Sequence, residues 1–225
     1  MEYFYTIIIG YLIGSISPSI IISKYFSGID IKKHGSGNAG GTNMLRVFGW
    51  RIAVPVMLFD IFKSFFSVKY LPAIILSFSN LSNTETNIIL LKIFGGSAAV
   101  IGHIWTIFGN FKGGKGVATS IGFMLALAPI EFLFSTITFI IVIGFSRYVS
   151  LGSILGSITF LLAFIFRKYI LNSSIDGFEY IIWVAFAIPI LIIFTHRTNI
   201  KRLIDGKENK ILSFRGGTHP PKNGN

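Results

Sequence analysis

Two cationic glycine runs and a histidine beside an amide are the residues whose types and spacing suit chemistry. Residues 109–119 read Gly-Asn-Phe-Lys-Gly-Gly-Lys-Gly-Val-Ala-Thr. Gly113, Gly114 and Gly116 let a backbone turn its N–H groups toward an anion without Cβ obstruction, and Lys112 and Lys115 set two cations beside them. A helix beginning at Val117, with Thr119 in its first turn, would aim its free N–H groups and positive dipole end at the same place. The run nearly fits a nucleotide P-loop, but Gly116 stands where a metal-binding Ser or Thr is required, and its flanks are apolar rather than those of a soluble α/β unit. A phosphate cradle and a basic turn between membrane helices both fit this spacing, since cytoplasmic loops collect Lys and Arg.

Residues 32–46 form the second run, in which Gly35, Gly37, Gly40 and Gly41 alternate with Ser36, Asn38, Thr42 and Asn43 and end on Arg46. Arg46 suits a bidentate phosphate contact, so this run reads as a second oxyanion cradle rather than a solvated turn. The third cluster, residues 195–203, holds His196, Asn199 and Arg202. On a continuous helix, His196, Asn199 and Leu203 share one face. His196 suits either proton transfer or the orientation of a hydroxyl. Ser150, close after Arg147, joins the candidates, while Asp60 and Lys63, one turn apart in an apolar stretch, read as a structural ion pair.

These residues must be positioned by membrane helices. The 225 residues are 52% hydrophobic and only 13% charged, against about 25% charged in a soluble domain. Net charge is +11, which favours anionic lipid and anionic substrates, while the hydropathy argues against nucleic acid. With no cysteine, disulfides, thiolate nucleophiles and cysteine metal sites are excluded. The apolar N-terminal stretch lacks a basic region before it and a small-residue cleavage site after it, and so reads as a retained span.

Candidate spans cover residues 4–23, 52–77, 88–108, 119–145, 151–166 and 178–194. If 119–145 crossed once, the basic segment from Arg197 onward, with seven Lys or Arg against Asp205 and Glu208, would lie opposite Lys112 and Lys115. The positive-inside rule disfavours that. Folding back near Pro129 as two short or tilted helices puts every basic cluster on one side. The expectation is an all-α fold: a polytopic integral membrane helical bundle of about seven transmembrane helices, two of them short, with the N-terminus outside. Residues 1–212 form a single domain and 213–225 a polar basic cytoplasmic tail.

Together the three clusters resemble the bacterial acyl-phosphate:glycerol-3-phosphate acyltransferase family. Gly35-Ser36-Gly37-Asn38 with Thr42-Asn43-Met44-Leu45-Arg46 is similar to its first motif, and Phe111-Lys112-Gly113-Gly114-Lys115-Gly116-Val117-Ala118-Thr119, preceded by Gly102-His103, to its second. His196 to Leu203, with Gly206 and Glu208, is similar to its third, and Arg147-Tyr148-Val149-Ser150 to a further signature. Departures are Gly41 in place of Ala, Ser64 in place of Gly, and Trp105-Thr106 in place of Phe-Pro. The resemblance implies transfer of a fatty acyl group from acyl phosphate to the 1-hydroxyl of glycerol 3-phosphate, giving lysophosphatidic acid and phosphate as the first step of phospholipid synthesis, without acyl-CoA, cofactor or metal. It places the chain in the bacterial plasma membrane with its site on the cytoplasmic side, bound to membrane lipid; a monomer is assumed, since the sequence does not give the oligomeric state. The catalytic candidates are His196, Asn199, Ser36 and Arg46, and the substrate-binding candidates are Lys112 to Gly116, Thr119, Asn38, Thr42, Asn43, Ser150 and Arg202. A membrane transporter of organic phosphates is the alternative, though no internal repeat supports it. Scattered aspartates argue against a CDP-alcohol phosphotransferase, and no histidine precedes an aspartate by five positions, as a His-x4-Asp acyltransferase requires.

Overall fold

The computed structural model describes residues 1–211, so the tail expected at 213–225 lies outside the described residues. Every regular element among them is helical: α1 (Glu2–Ser15), α2 (Pro18–Ser27), α3 (Gly41–Phe48), α4 (Trp50–Lys69), α5 (Leu71–Ser77), α6 (Glu85–Ile104), α7 (Val117–Leu127), α8 (Pro129–Ser146), α9 (Val149–Tyr169), α10 (Phe178–Thr195) and α11 (Arg197–Ile204). Five stretches are long and apolar enough to cross a membrane: Glu2–Ser27, Glu85–Gly109, Pro129–Ser146, Val149–Tyr169 and Phe178–Thr195. A count of seven is reached only by adding α4 and α7. α4 has 20 residues but carries Arg51, Asp60, Lys63 and Lys69, and the 11 residues of α7 extend roughly 16 Å, about half the hydrocarbon thickness.

Proline sets the breaks. Pro129 opens α8, and α7 folds back against it, so that Val117 at the start of α7 and Phe139 and Ile140 late in α8 line one cavity. The expected fold-back near Pro129 is present, but only α7 is short, because α8 runs 18 residues. The stretch 4–23, expected as one span, lies within the single span Glu2–Ser27, but that span is built from two helices. Pro18 starts α2 and forces the residues before it out of helical geometry, leaving Ile16 and Ser17 extended. That frees carbonyls, and the structure uses them: Ser15 O accepts from Thr106 Oγ1 at 2.6 Å, and Ile16 O from Lys63 Nζ at 2.7 Å. The expected span 52–77 breaks likewise at Tyr70, ahead of Pro72.

An apolar core between α6, α7, α9 and α10 contains Val100, Phe123, Phe160, Phe164, Ile188 and Ile192, and a smaller one under α3 contains Met44, Ala53 and Val56. The outward side of α8 is apolar and exposed at Leu133, Phe134 and Ile141. Among apolar surroundings helices gain little by hiding apolar area, so close packing of small residues must hold them. α1 lies against α6 so tightly that a Cβ on Gly14 would meet the backbone of Ala99. Gly14→Leu is therefore expected to wedge α1 from α6. Overpacking costs about 1–3 kcal/mol, or roughly 2–12 °C in melting temperature for a chain of this size, and a thermal unfolding scan of the purified protein checks it.

Candidate active site

The glycine turn begins where α6 ends. Asn110 and Phe111 take left-handed backbone conformations (φ 54° and 57°), and Gly116, at φ 84°, precedes the first residue of α7. Its inner glycines do not present their N–H groups to a ligand. Gly113 N donates to Ile104 O at 3.0 Å and Gly114 N to His103 O at 3.1 Å, closing the end of α6. Both are glycine because the turn lies flat on His103: a Cβ on Gly113 would collide with the His103 carbonyl, and one on Gly114 with its imidazole. The donors left for an anion are those of the α7 first turn, where N–H groups have no helical partner, and Val117 and Ala118 both line the adjoining pocket.

That pocket, about 280 Å³, is where the predicted clusters meet. Ser36, Asn38, Thr42, Asn43 and Arg46 line it from the first run, Lys115 from the second, Ser150 from α9, and His196 and Asn199 from the third. Thr195 Oγ1 donates to Lys115 O at 3.0 Å, tying the end of α10 to the glycine turn. Lys115 Nζ donates to Asn199 Oδ1. Asn199 Nδ2 donates to Glu208 Oε1 at 2.6 Å, Ser150 Oγ to the same oxygen at 3.0 Å, and Arg202 Nε to Glu208 Oε2 at 2.7 Å.

Glu208 is thus the hub of the site. Sequence reasoning noted it within the third motif but gave it no place among the site residues. It lies beyond the end of α11, where no helical period could place it, and apart from the motif nothing set it apart from Asp205 as an acid among Lys and Arg. Burial opposes its charge, but hydrogen bonds from Arg202, Asn199 and Ser150 hold its carboxyl below the usual glutamate range.

Other predicted residues are placed differently from expectation. Lys112 is exposed and off the pocket. Thr119 is fully buried, its hydroxyl donating to Gly116 O at 3.0 Å, which secures the start of α7. Asn43 holds the first run together: its Oδ1 accepts from Ser36 N at 2.7 Å, and its Nδ2 lies within 2.8–3.2 Å of the carbonyls of Asn38, His34 and Ile31. Arg202 does not line the pocket and acts on it through Glu208. The Asp60–Lys63 pair is present at 2.7 Å.

His196 sits between α10 and α11, buried with Asn199 as the shared face requires, although α11 begins only at Arg197. Its Nδ1 is 2.8 Å from Ile192 O, an acceptor, so that nitrogen carries the proton and Nε2 is left as the lone pair. Burial first, then the Lys115 cation, lower its pKa to about 4. Burial, with Arg202 nearby, lowers Lys115 to about 8, and burial lowers Arg46. At neutral pH the pocket wall therefore carries the neutral His196 imidazole, the cations of Lys115 and Arg46, and two carboxylates, Glu208 bonded to Arg202 and Asp60 paired with Lys63. It is built to bind anions and a hydroxyl.

A second cavity of about 320 Å³ runs from the pocket between α7, α8, α9 and α10. Val117, Ile121, Phe139 and Ser153 line both, so an apolar slot opens directly onto the cationic pocket.

Comparison with known proteins places this arrangement. A family profile described as Glycerol-3-phosphate acyltransferase matches residues 4–206. Glycerol-3-phosphate acyltransferase of Chlorobaculum tepidum is 41% identical over 222 residues, covering 92% of this chain and 95% of that protein. The Chlorobium phaeovibrioides protein of the same name is 38% identical, covering 90% and 94%. Among solved structures, the glycerol 3-phosphate form of PlsY (YgiH), an integral membrane glycerol 3-phosphate acyltransferase, is 34% identical with a TM-score of 0.76, covering 94% of this chain and 96% of that one. Its lysophosphatidic acid form gives 34% and 0.74, covering 98% of each.

The two lowered pKa values set an expected pH profile. Lys115 is charged below about 8 and neutral above it, so affinity for inorganic phosphate should fall as pH rises through that value. His196, neutral down to about 4, should add no inflection between pH 5 and 7. Lys115→Arg should move the alkaline limb upward, because guanidinium does not titrate there. Calorimetric titration with phosphate across pH 5–10 checks all three.

Proposed function

Because the chain belongs to the glycerol-3-phosphate acyltransferase family and is therefore an acyltransferase, we propose that it moves a fatty acyl group from acyl phosphate to the 1-hydroxyl of glycerol 3-phosphate, releasing lysophosphatidic acid and phosphate. The observation that carries this reading is the shared wall of slot and pocket. Val117 and Ile121 line both the apolar slot and the pocket that holds Arg46 and Lys115, so a donor with its apolar tail in the slot brings its phosphate head among cations in the pocket. The same juxtaposition favours acyl transfer over the transport of organic phosphates.

In this mechanism Lys115 and the N–H groups of Val117 and Ala118 hold the phosphate of glycerol 3-phosphate. Arg46, with the Ser36 hydroxyl and Thr42, neutralises the donor phosphate. Asn199, fixed by Glu208, keeps Lys115 in place through its Oδ1, and Ser150 braces the same carboxylate. The lone pair of His196 Nε2 accepts a hydrogen bond from the 1-hydroxyl and turns its oxygen toward the acyl carbonyl. That oxygen forms the new C–O bond, the C–O bond to phosphate breaks, and the hydroxyl proton leaves with the phosphate. An imidazole with its pKa lowered to about 4 is a weak base at neutral pH, which supports an orienting role. Much of the acceleration then comes from alignment and from fixed donors around charge that develops in the transition state.

One chain supplies every residue named, so the proposal needs no partner subunit. Arg147, Arg197, Lys201 and Arg202 flank the site end of the bundle, which supports its lying on the cytoplasmic face of a bacterial plasma membrane.

The test is donor choice. Purified protein in lipid, given labelled glycerol 3-phosphate, should form lysophosphatidic acid with palmitoyl phosphate, releasing phosphate in step with product, and form none with palmitoyl-CoA. Product from the thioester and none from the acyl phosphate would overturn the reading.

A further inference from the structure

Beside the pocket, the mechanism leaves unused three ionisable groups that α4 and α6 bury together. Asp60, Lys63 and His103 are each at most 3% exposed. Lys63 Nζ lies 2.7 Å from Asp60 Oδ1 and donates to Ile16 O at 2.7 Å, the carbonyl freed by the break before Pro18. His103 Nδ1 lies 3.3 Å from the same Asp60 oxygen and 3.1 Å from Lys63 Nζ. Asp60 Oδ2 has no partner. An ion pair at this depth gains little over apolar side chains of the same shape, and losing one partner strands the other charge. Helix packing alone is a weak reason to keep it.

Its location supplies a better one. Asp60 and His103 both line the pocket that contains Lys115, Ser36 and His196. The imidazole is the surface on which the glycine turn rests, its Nε2 edge occupying the space a Gly114 Cβ would need, and the His103 carbonyl accepts the Gly114 N–H. Lys115 is the next residue. A tilt of the ring would move the turn and the ammonium with it.

We infer that Asp60, anchored by Lys63, positions the His103 ring by its Nδ1 edge, and that this ring sets the Gly113–Gly114 turn and so presents Lys115 to the glycerol phosphate. The dyad touches no reacting atom and acts through the turn. It links the Pro18 break in the first span to the phosphate site, because the Ile16 carbonyl is one of the groups fixing Lys63. This rests on the assignment of Lys115 to glycerol 3-phosphate proposed above.

Two substitutions separate the edges of the ring: Asn keeps a polar atom near the Nδ1 position, whereas Gln keeps one near Nε2. Dissociation constants for glycerol 3-phosphate are measured by calorimetry on the full chain in lipid, with melting temperature and hydrogen exchange of the Gly114 amide read on the same samples. His103→Gln should weaken binding about tenfold, the scale of one lost charge-assisted hydrogen bond, with faster Gly114 exchange and an unchanged melting temperature. His103→Asn should stay within about threefold of wild type. The inference is overturned if both variants bind as wild type does, if Asn loses as much as Gln, or if Gln binds well and Asn does not, which would make Nε2 a direct ligand contact. It is also overturned if weaker binding comes with an equally lowered melting temperature in both variants. Should His103→Gln fail to fold, the Asn variant decides: wild-type affinity and Gly114 exchange support the dyad, and loss of either refutes it. Failure of the underlying assignment looks different, since wild type would then not bind glycerol 3-phosphate or Lys115→Ala would bind it equally well.

Discussion

One carboxylate joins the parts of the site that come from distant stretches of chain. Glu208 accepts hydrogen bonds from Ser150 on α9 and from Asn199 and Arg202 on α11, and Asn199 passes the connection to Lys115 on the glycine turn. Arg46 reaches the same region, its Nη2 lying 3.4 Å from Asn209 O. Without Glu208, Lys115, Arg46 and Arg202 would lose the carboxylate they share, the pocket's other one, Asp60, being already paired with Lys63, and like charges in a half-buried space repel strongly. The folded carboxyl pKa lies below its ordinary value, so this contribution is fully present above the unfolded glutamate pKa and lost as pH falls through the folded one.

The helices serve this cluster by ending together. α6 and α10 finish, and α7 and α9 begin, around one pocket; Pro129 and Gly116 set two of the breaks, whereas the caps that end α6, α8 and α10 are Trp105, Arg147 and His196. Pro129 turns α8 back alongside α7 and leaves a slot between them, while Gly116 starts α7 with its free N–H groups at the pocket. The break before Pro18 serves a deeper need. A helix interrupted inside the bilayer exposes carbonyls that only buried partners can satisfy, and here Thr106 and Lys63 supply them.

Much of this was legible in the residues because each feature has a local cause. Spans α9 and α10 follow from apolar length, and the reversal at Pro129 from too many residues for one crossing together with a proline. The split of the first span had the same signal in Pro18, but a continuous apolar run masked it. Within the site, Arg46, Lys115, His196 and Asn199 were recognisable by type. What pattern cannot convey is which way a loop faces. Lys112 and Lys115 look equivalent in the sequence, yet one is exposed and the other lines the pocket. The N–H groups of Gly113 and Gly114 turned out to be partners for the end of α6 instead of for a ligand. Glu208 went unplaced because its role depends on three partners that only the tertiary fold assembles.

The central claim is that Glu208 and Lys115 act as one unit on the phosphate, coupled through Asn199. A double-mutant cycle of Lys115→Ala and Glu208→Ala, read as the dissociation constant for glycerol 3-phosphate, tests it directly. Groups in one hydrogen-bond network show coupling of about 0.5–3 kcal/mol, whereas independent sites add within about 0.5 kcal/mol. The account predicts a double variant little weaker than the worse single one. Strictly additive losses would contradict it.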